Sequence, residues 1–173
     1  SLLSSKGTCH KTEGNRNNHI GVPLSLSSLN NEFLFSVIEI GTSAPGEIKN
    51  LSLLSRPNVA LITNASESHL EGLGSVRSVV KEKGSILDSL RHDGIAILPR
   101  DSEFFEEWSK RANGRKIISF GFHKDSEIVV KNPKVDILKN SLQFEISYDK
   151  EEIKCEMHSI GIQNALNACS AFA

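Results

Sequence analysis

Three side chains could do chemistry in this sequence, and all three come from its first half. Glu39 stands in the apolar run Phe33 to Ile40 (FLFSVIEI), just before Gly41. A carboxylate among apolar residues is costly unless it is paired, holds a metal or reaches solvent. Metal ligand and solvated strand end are both open for it. His69 lies in the polar stretch Thr63 to Gly72 (TNASESHLEG), where a neutral imidazole could ligate a metal or be merely solvated. Lys83 is placed more tellingly. Val76, Val79, Val80, Ile86, Leu87 and Leu90 form one stripe at about 100° per residue, with Lys83 in its middle and Lys81, Glu82 and Asp88 facing elsewhere. Such a lysine either snorkels to the rim, pairs, or loses its charge. In the last case it is open to modification beside a metal or phosphate. The segment Thr12 to Leu24 (TEGNRNNHIGVPL) is dense in amides and glycines. Its Asn15, Asn17 and Asn18 could build a turn, or offer amides to phosphate oxygens at the start of the next helix.

These groups need a scaffold, and the hydrophobic pattern supplies one. Strands are predicted at 33–40, 58–62, 95–98 and 116–120, the first of them buried. Helices are predicted at 47–55, with Pro57 just beyond it, at 75–90, with Ser75 as N-cap, and at 103–112, a polar helix carrying Phe104, Phe105 and Trp108. This alternation argues for α/β architecture, a mostly parallel sheet flanked by helices, with ligands beyond the carboxyl ends of its strands. Near Asp125 the period changes to two: Leu142, Phe144, Ile146 and Tyr148 alternate, and turn signals stand at Asn132-Pro133, Lys139-Asn140 and Asp149-Lys150. A small, separate antiparallel sheet is expected there. The expected divisions are a parallel part over 1–124, an antiparallel part over 125–160 and a helix over 161–173. That helix starts near Gln163 and is still running at Ala173, as expected of a piece of a larger protein.

The composition narrows the function. The chain has 173 residues, one domain or a domain with a small appendage at roughly 100–200 residues per domain. Lys plus Arg number 20 against 21 Asp plus Glu, a net charge of −1, which argues against a broad nucleic-acid-binding face. A hydrophobic content of 38% supports a core. No apolar run approaches the roughly 18 residues of a membrane span, and Ser1 to Lys6 does not read as a secretory signal. Cys9, Cys155 and Cys169 lack CxxC spacing, which points to a reducing, cytoplasmic setting without a zinc knuckle.

Five strings carry a resemblance: TEGNRNNHIGVPL (12–24), VIEIGTSAPGEI (37–48), RPNVALITNASESHLEGLGS (56–75), KEKGSIL (81–87) and GIQNALNACSA (161–171). In this order they resemble the central domain of the ATP-dependent Mur ligases of peptidoglycan synthesis, in particular the branch that adds D-alanyl-D-alanine. They cover most of the chain except the antiparallel part. The sibling branch that adds the third amino acid lacks the GNxNNxIGVP and GEI pieces. Folylpolyglutamate synthases share the architecture but not these strings. The resemblance implies that Glu39 binds the magnesium bridging the β- and γ-phosphates of ATP. It implies that His69 binds a second magnesium near the reacting carboxylate. Lys83 matches the lysine that the family carbamylates, a change that needs a neutral amine and then presents a carboxylate-like group to the metal. Asn167 matches the asparagine that recognises adenine. Asn15, Asn17 and Asn18 lie where the family approaches phosphates or the acceptor. Glu39, His69 and Lys83 are thus expected to converge at the carboxyl edge of the sheet, on the order of 10 Å across.

The implied reaction takes UDP-N-acetylmuramoyl-tripeptide, D-alanyl-D-alanine and ATP through an acyl phosphate to an amide, with no covalent enzyme nucleophile. The alternatives are another Mur-type acceptor and a non-catalytic member of the fold serving as an interaction module. The sequence departs from the family pattern in three places. No G-x-x-x-x-G-K-[ST] loop occurs, so the P-loop strand is expected to lie upstream of Ser1. Gln163-Asn164 replaces the usual His-Asn, and Pro99-Arg100-Asp101 replaces Asn-Ala-Asp. From the first departure, the 173 residues by themselves are expected to be inactive, to bind ATP poorly, and to self-associate through unpaired strand edges.

Overall fold

The computed structural model describes residues 2–65 and 70–173, with only the backbone of Leu70 and Glu71. The chain forms two compact units, Ser1–Ala60 with Ala65–Gly94, and Leu61–Asn64 with Ile95–Ala173.

The first unit opens with a 3-10 turn at Leu2–Ser5, then β1 (Cys9–Lys11), α1 (Gly21–Ser27), β2 (Phe35–Val37) and α2 (Glu47–Ser55). β3 (Val59–Leu61) leads out of it, and α3 (Leu70–Leu73), α4 (Val76–Gly84) and a 3-10 turn at Ser85–Ser89 complete it. Its buried core takes Val22 from α1, Ile48 and Leu51 from α2, Val79 and Val80 from α4, and Leu87 and Leu90 beyond α4. The Ser75 side chain accepts from the Ser78 N–H and caps α4, as expected. The predicted helix 75–90 tightens into the 3-10 turn after Gly84.

Two expectations for the sheet are corrected here. The run 33–40 is not a long buried strand of the main sheet. Only Phe35–Val37 is extended, with Ser36 and Val37 exposed, and it pairs in parallel with β1 in a two-stranded sheet of its own. Nor is the antiparallel part separate. One six-stranded sheet runs in the order β3-β4-β5-β6-β7-β8.

In the second unit, β4 (Ile95–Pro99), α5 (Phe105–Arg111) and β5 (Lys116–Gly121) are followed by β6 (Ile128–Asp136), β7 (Ser141–Tyr148), β8 (Glu151–Met157) and α6 (Gln163–Phe172). β5 pairs in parallel with β4, and with β6 through Phe120 opposite Ile128. β6 then turns antiparallel to β7, and β7 to β8. Sharing β6 lets the alternating strands extend the parallel sheet, so that one apolar face serves both. Ile97, Ile118, Phe120, Ile128, Leu142, Phe144 and Ile146 bury that face with Ala165 and Cys169 of α6. Burial pushes the Cys169 thiol up to about 11. Asp149 and Lys150, both at positive φ, join β7 to β8 in the two-residue turn that suits a twisted hairpin. Asn132-Pro133 is not a turn but a bulge within β6, where Asn132 takes positive φ and the register shifts between Lys131 and Lys134. None of the described helices is long and apolar enough to cross a membrane.

Candidate functional site

Glu39 lies two residues past the carboxyl end of β2, where parallel strands present their ligand-binding edge. It is exposed, so the cost of a buried carboxylate does not arise. The amide-rich segment holds it in place. Thr12 N–H donates to the Val37 carbonyl at 3.0 Å, continuing the β1–β2 pairing. Thr12 Oγ1 accepts from the Glu39 N–H at 2.9 Å. Asn17 Nδ2 donates to Glu39 Oε1 at 2.7 Å, and the Asn17 carbonyl accepts from the Gly41 N–H at 2.8 Å.

The three asparagines therefore separate by role. Asn17 orients Glu39. Asn18 Oδ1 accepts from the N–H groups of Ile20 and Gly21, at 3.1 and 2.9 Å, and serves the first turn of α1. The Asn15 side chain is exposed in the turn, where its carbonyl accepts from the Asn17 N–H at 2.8 Å. The segment is thus a turn, and one of its amides is turned to the Glu39 carboxylate.

After Glu39 the chain forms a tight loop into α2. Glu47 Oε2 accepts from the Ser43 N–H at 2.6 Å and the Ala44 N–H at 3.0 Å. The Ser43 and then the Ala44 N–H hold the Glu47 carboxyl below its ordinary pKa. Gly46 caps α2 at φ 87, a left-handed conformation that costs glycine little, and it brings no side chain to satisfy the first N–H groups of the helix. Glu82 of α4 does so instead. Its Oε2 accepts from the Gly46 N–H and its Oε1 from the Ile48 N–H, each at 2.8 Å.

Glu82 is only 8% exposed, which corrects its expected place away from the packed stripe of the helix. Sequence reasoning missed it because a helical wheel counts only apolar neighbours. The available signal was the glycine N-cap of α2, which needs an acceptor from elsewhere. Lys83, the next residue, is half-buried in the last turn of α4, and loss of hydration lowers its pKa below the ordinary lysine value. A lysine in this state reaches its neutral, nucleophilic form more readily than one in water.

His69 lies outside the described residues. The helix just after it, α3, meets the same loop: a Cβ built on Gly72 would overlap the Ser43 carbonyl oxygen. Asn167 belongs to the second unit, exposed on α6, with its carbonyl accepting from Ser170 Oγ at 2.8 Å. Its neighbour Asn164 donates to Ser159 Oγ. Among the described residues, the structure thus brings Glu39 together with Asn17, and ties Glu82, beside Lys83, to the loop that follows Glu39.

The Mur ligase middle-domain model matches residues 1–173. A relative from Buchnera aphidicola subsp. Baizongia pistaciae, named UDP-N-acetylmuramoyl-tripeptide--D-alanyl-D-alanine ligase, is 35% identical over 171 residues. Those residues are 99% of this chain and 37% of that protein. The crystal structure of MurF from Acinetobacter baumannii superposes with a TM-score of 0.92 at 27% identity, covering 99% of this chain and 37% of the other. MurF ligase from Thermotoga maritima, solved in complex with ADP, gives a TM-score of 0.83 at 26% identity over 99% of this chain and 39% of the other. The chain therefore spans less than half the length of these proteins. With the family model matched from end to end, the chain belongs to the Mur ligase middle-domain family.

Proposed function

We propose that this chain is the nucleotide-handling middle domain of a cytoplasmic, ATP-dependent ligase that joins D-alanyl-D-alanine to UDP-N-acetylmuramoyl-tripeptide. The observation that carries the proposal is likeness across nearly the whole chain to a relative bearing that name, with Glu39 held by Asn17 at the strand edge.

The residues present suit magnesium, a hard cation that takes oxygen donors. Glu39 is exposed, with one oxygen steadied by Asn17 and the other available. Half-burial disposes Lys83 to the neutral amine that adds carbon dioxide, releasing a proton and leaving a carbamate oxygen as a second donor. In this proposal His69 serves a second magnesium, near the reacting carboxylate. Bound there, the metal would neutralise charge building on the phosphoryl oxygens. Asn17 holds the Glu39 carboxylate in one orientation, and Asn167 takes the adenine.

In the reaction, an oxygen of the tripeptide carboxylate attacks the γ-phosphorus of ATP and ADP leaves. The dipeptide amine then attacks the acyl carbon, the tetrahedral adduct expels phosphate, and the amine loses a proton to give the amide.

Assay of the full-length gene product with the tripeptide nucleotide, ATP and D-alanyl-D-alanine tests the proposal. Dipeptide-dependent release of phosphate with formation of the amide is expected. Turnover with a single amino acid but not the dipeptide would assign a different Mur-type acceptor. No turnover with any acceptor would leave the fold as an interaction module.

A further inference from the structure

We propose that Glu82 is a positioning residue: a two-point clamp that sets Lys83 relative to the loop leaving Glu39. Its carboxylate spans the start of α2, one oxygen on the Gly46 N–H and the other on the Ile48 N–H, both at 2.8 Å. A nearly buried carboxylate is tolerated only with such partners, and here the partners are the otherwise unserved donors of a helix whose N-cap is glycine. The clamp is therefore satisfied on both sides, and neither end can move without exposing the other to an unmet hydrogen bond.

Its position in the chain gives the clamp a consequence for the site. Glu82 and Lys83 are consecutive on α4, so fixing the Glu82 carboxylate fixes the rotation and height of the turn that presents Lys83. At its other end the clamp grips a loop that is bonded along its length back to Glu39. Glu47 accepts from the Ser43 and Ala44 N–H groups, and Asn17 takes the Gly41 N–H through its carbonyl while donating to Glu39 from its side chain. Hydrogen bonds joined by short stretches of backbone thus connect the turn that carries Lys83 to Glu39, the two residues that serve as oxygen donors in the proposed site. This consequence for catalysis rests on the ligase proposal, whereas the clamp itself does not.

The experiment compares the full-length protein with its Glu82→Gln and Glu82→Asp variants by two readouts. The first is backbone hydrogen exchange. Glu82→Gln keeps one acceptor oxygen and turns an amide toward the second N–H; Glu82→Asp is one methylene too short to reach both. Exchange at Gly46 and Ile48 is expected to rise at least tenfold in both variants, while the amides of the β6–β7 ladder stay unchanged. Unchanged exchange at Gly46 and Ile48 would overturn the clamp whatever the activity. A rise in the β6–β7 ladder as well would mark global unfolding and move the decision to the other variant.

The second readout is steady-state kinetics, with the carbamate carbon followed by NMR after addition of 13C-bicarbonate. A fall in kcat of at least tenfold is expected, with KM for D-alanyl-D-alanine within twofold and a displaced or weakened carbamate signal. Unchanged kcat and carbamate signal would overturn the positioning role. If the unaltered protein fails to turn over the dipeptide, the ligase proposal falls, and the exchange readout still decides the clamp.

Discussion

Asn17 Nδ2 donates to Glu39 Oε1 at 2.7 Å across 22 intervening steps of chain, and the Asn17 carbonyl holds Gly41 two residues beyond Glu39. One residue of the amide-rich segment thus grips both the side chain of the acidic residue and the backbone that follows it. A carboxylate steadied on one oxygen presents the other in a defined direction, which a metal ligand at an exposed strand edge requires.

Replacing Asn17 tests this. Both groups are accessible to water, so Asn17→Ala should cost no more than about 1 kcal/mol of stability. Loss of an outer-shell partner should nevertheless lower kcat/KM for Mg-ATP in the full-length protein roughly 10–100-fold. Steady-state kinetics at varied magnesium, beside a urea titration, separates the two effects. A variant with normal magnesium dependence would remove Glu39 from the metal site.

Lys83 carries a pH dependence whose sign follows from its environment. Burial lowers its pKa from the ordinary 10.5, so between the folded value and 10.5 the unfolded chain binds more protons. Stability from this group therefore rises with pH across that window; the cost of the buried charge is present in full below it and gone above it. Lys83→Met keeps the apolar stem and removes the charge. It should stabilise the protein most near neutral pH, with the gain shrinking as pH approaches 10.5, and it should abolish ligase turnover. Denaturant midpoints at several pH values provide the check, and a gain that does not change with pH would show that the ammonium is well hydrated.

Gly72 and the Ser43 carbonyl approach so closely that no Cβ fits between them. The Ser43 oxygen belongs to backbone and a Cβ is fixed by the backbone that bears it, so neither side can yield by changing rotamer. Gly72→Ala should destabilise the protein by about 3 kcal/mol, read from the shift in urea midpoint. A shift near zero would mean that α3 can move off the Thr42–Glu47 loop without cost.

Nucleotide affinity provides a separate test. The 173 residues contain no G-x-x-x-x-G-K-[ST] sequence, the motif whose backbone N–H groups and lysine cradle a triphosphate. Isothermal titration of these 173 residues with Mg-ATP should show no micromolar binding, although Glu39, Lys83 and Asn167 are all present. Micromolar binding would place the phosphate site on residues other than a P-loop.

Local signals in the sequence determined the elements that depend on neighbours along the chain. The helix at Glu47–Ser55, the Ser75 cap, the strands near 95 and 116 and the Asp149-Lys150 turn all follow from apolar period, cap chemistry and tolerance of positive φ. The family, too, was legible, because it is carried by contiguous strings. Pairing between distant segments was not. An apolar run such as 33–40 does not encode its partner, and only the fold sets Phe35 beside Cys9 and Ile128 beside Phe120. The same holds in the site. Asn15, Asn17 and Asn18 are alike by composition, and tertiary structure alone turns one to solvent, one to Glu39 and one to the start of α1. Glu82 reads as a solvated charge on a helical wheel. It is buried because the N–H groups that satisfy it belong to another helix 34 to 36 residues away, and hydrogen-bond saturation, unlike hydrophobic period, leaves no regular trace in sequence.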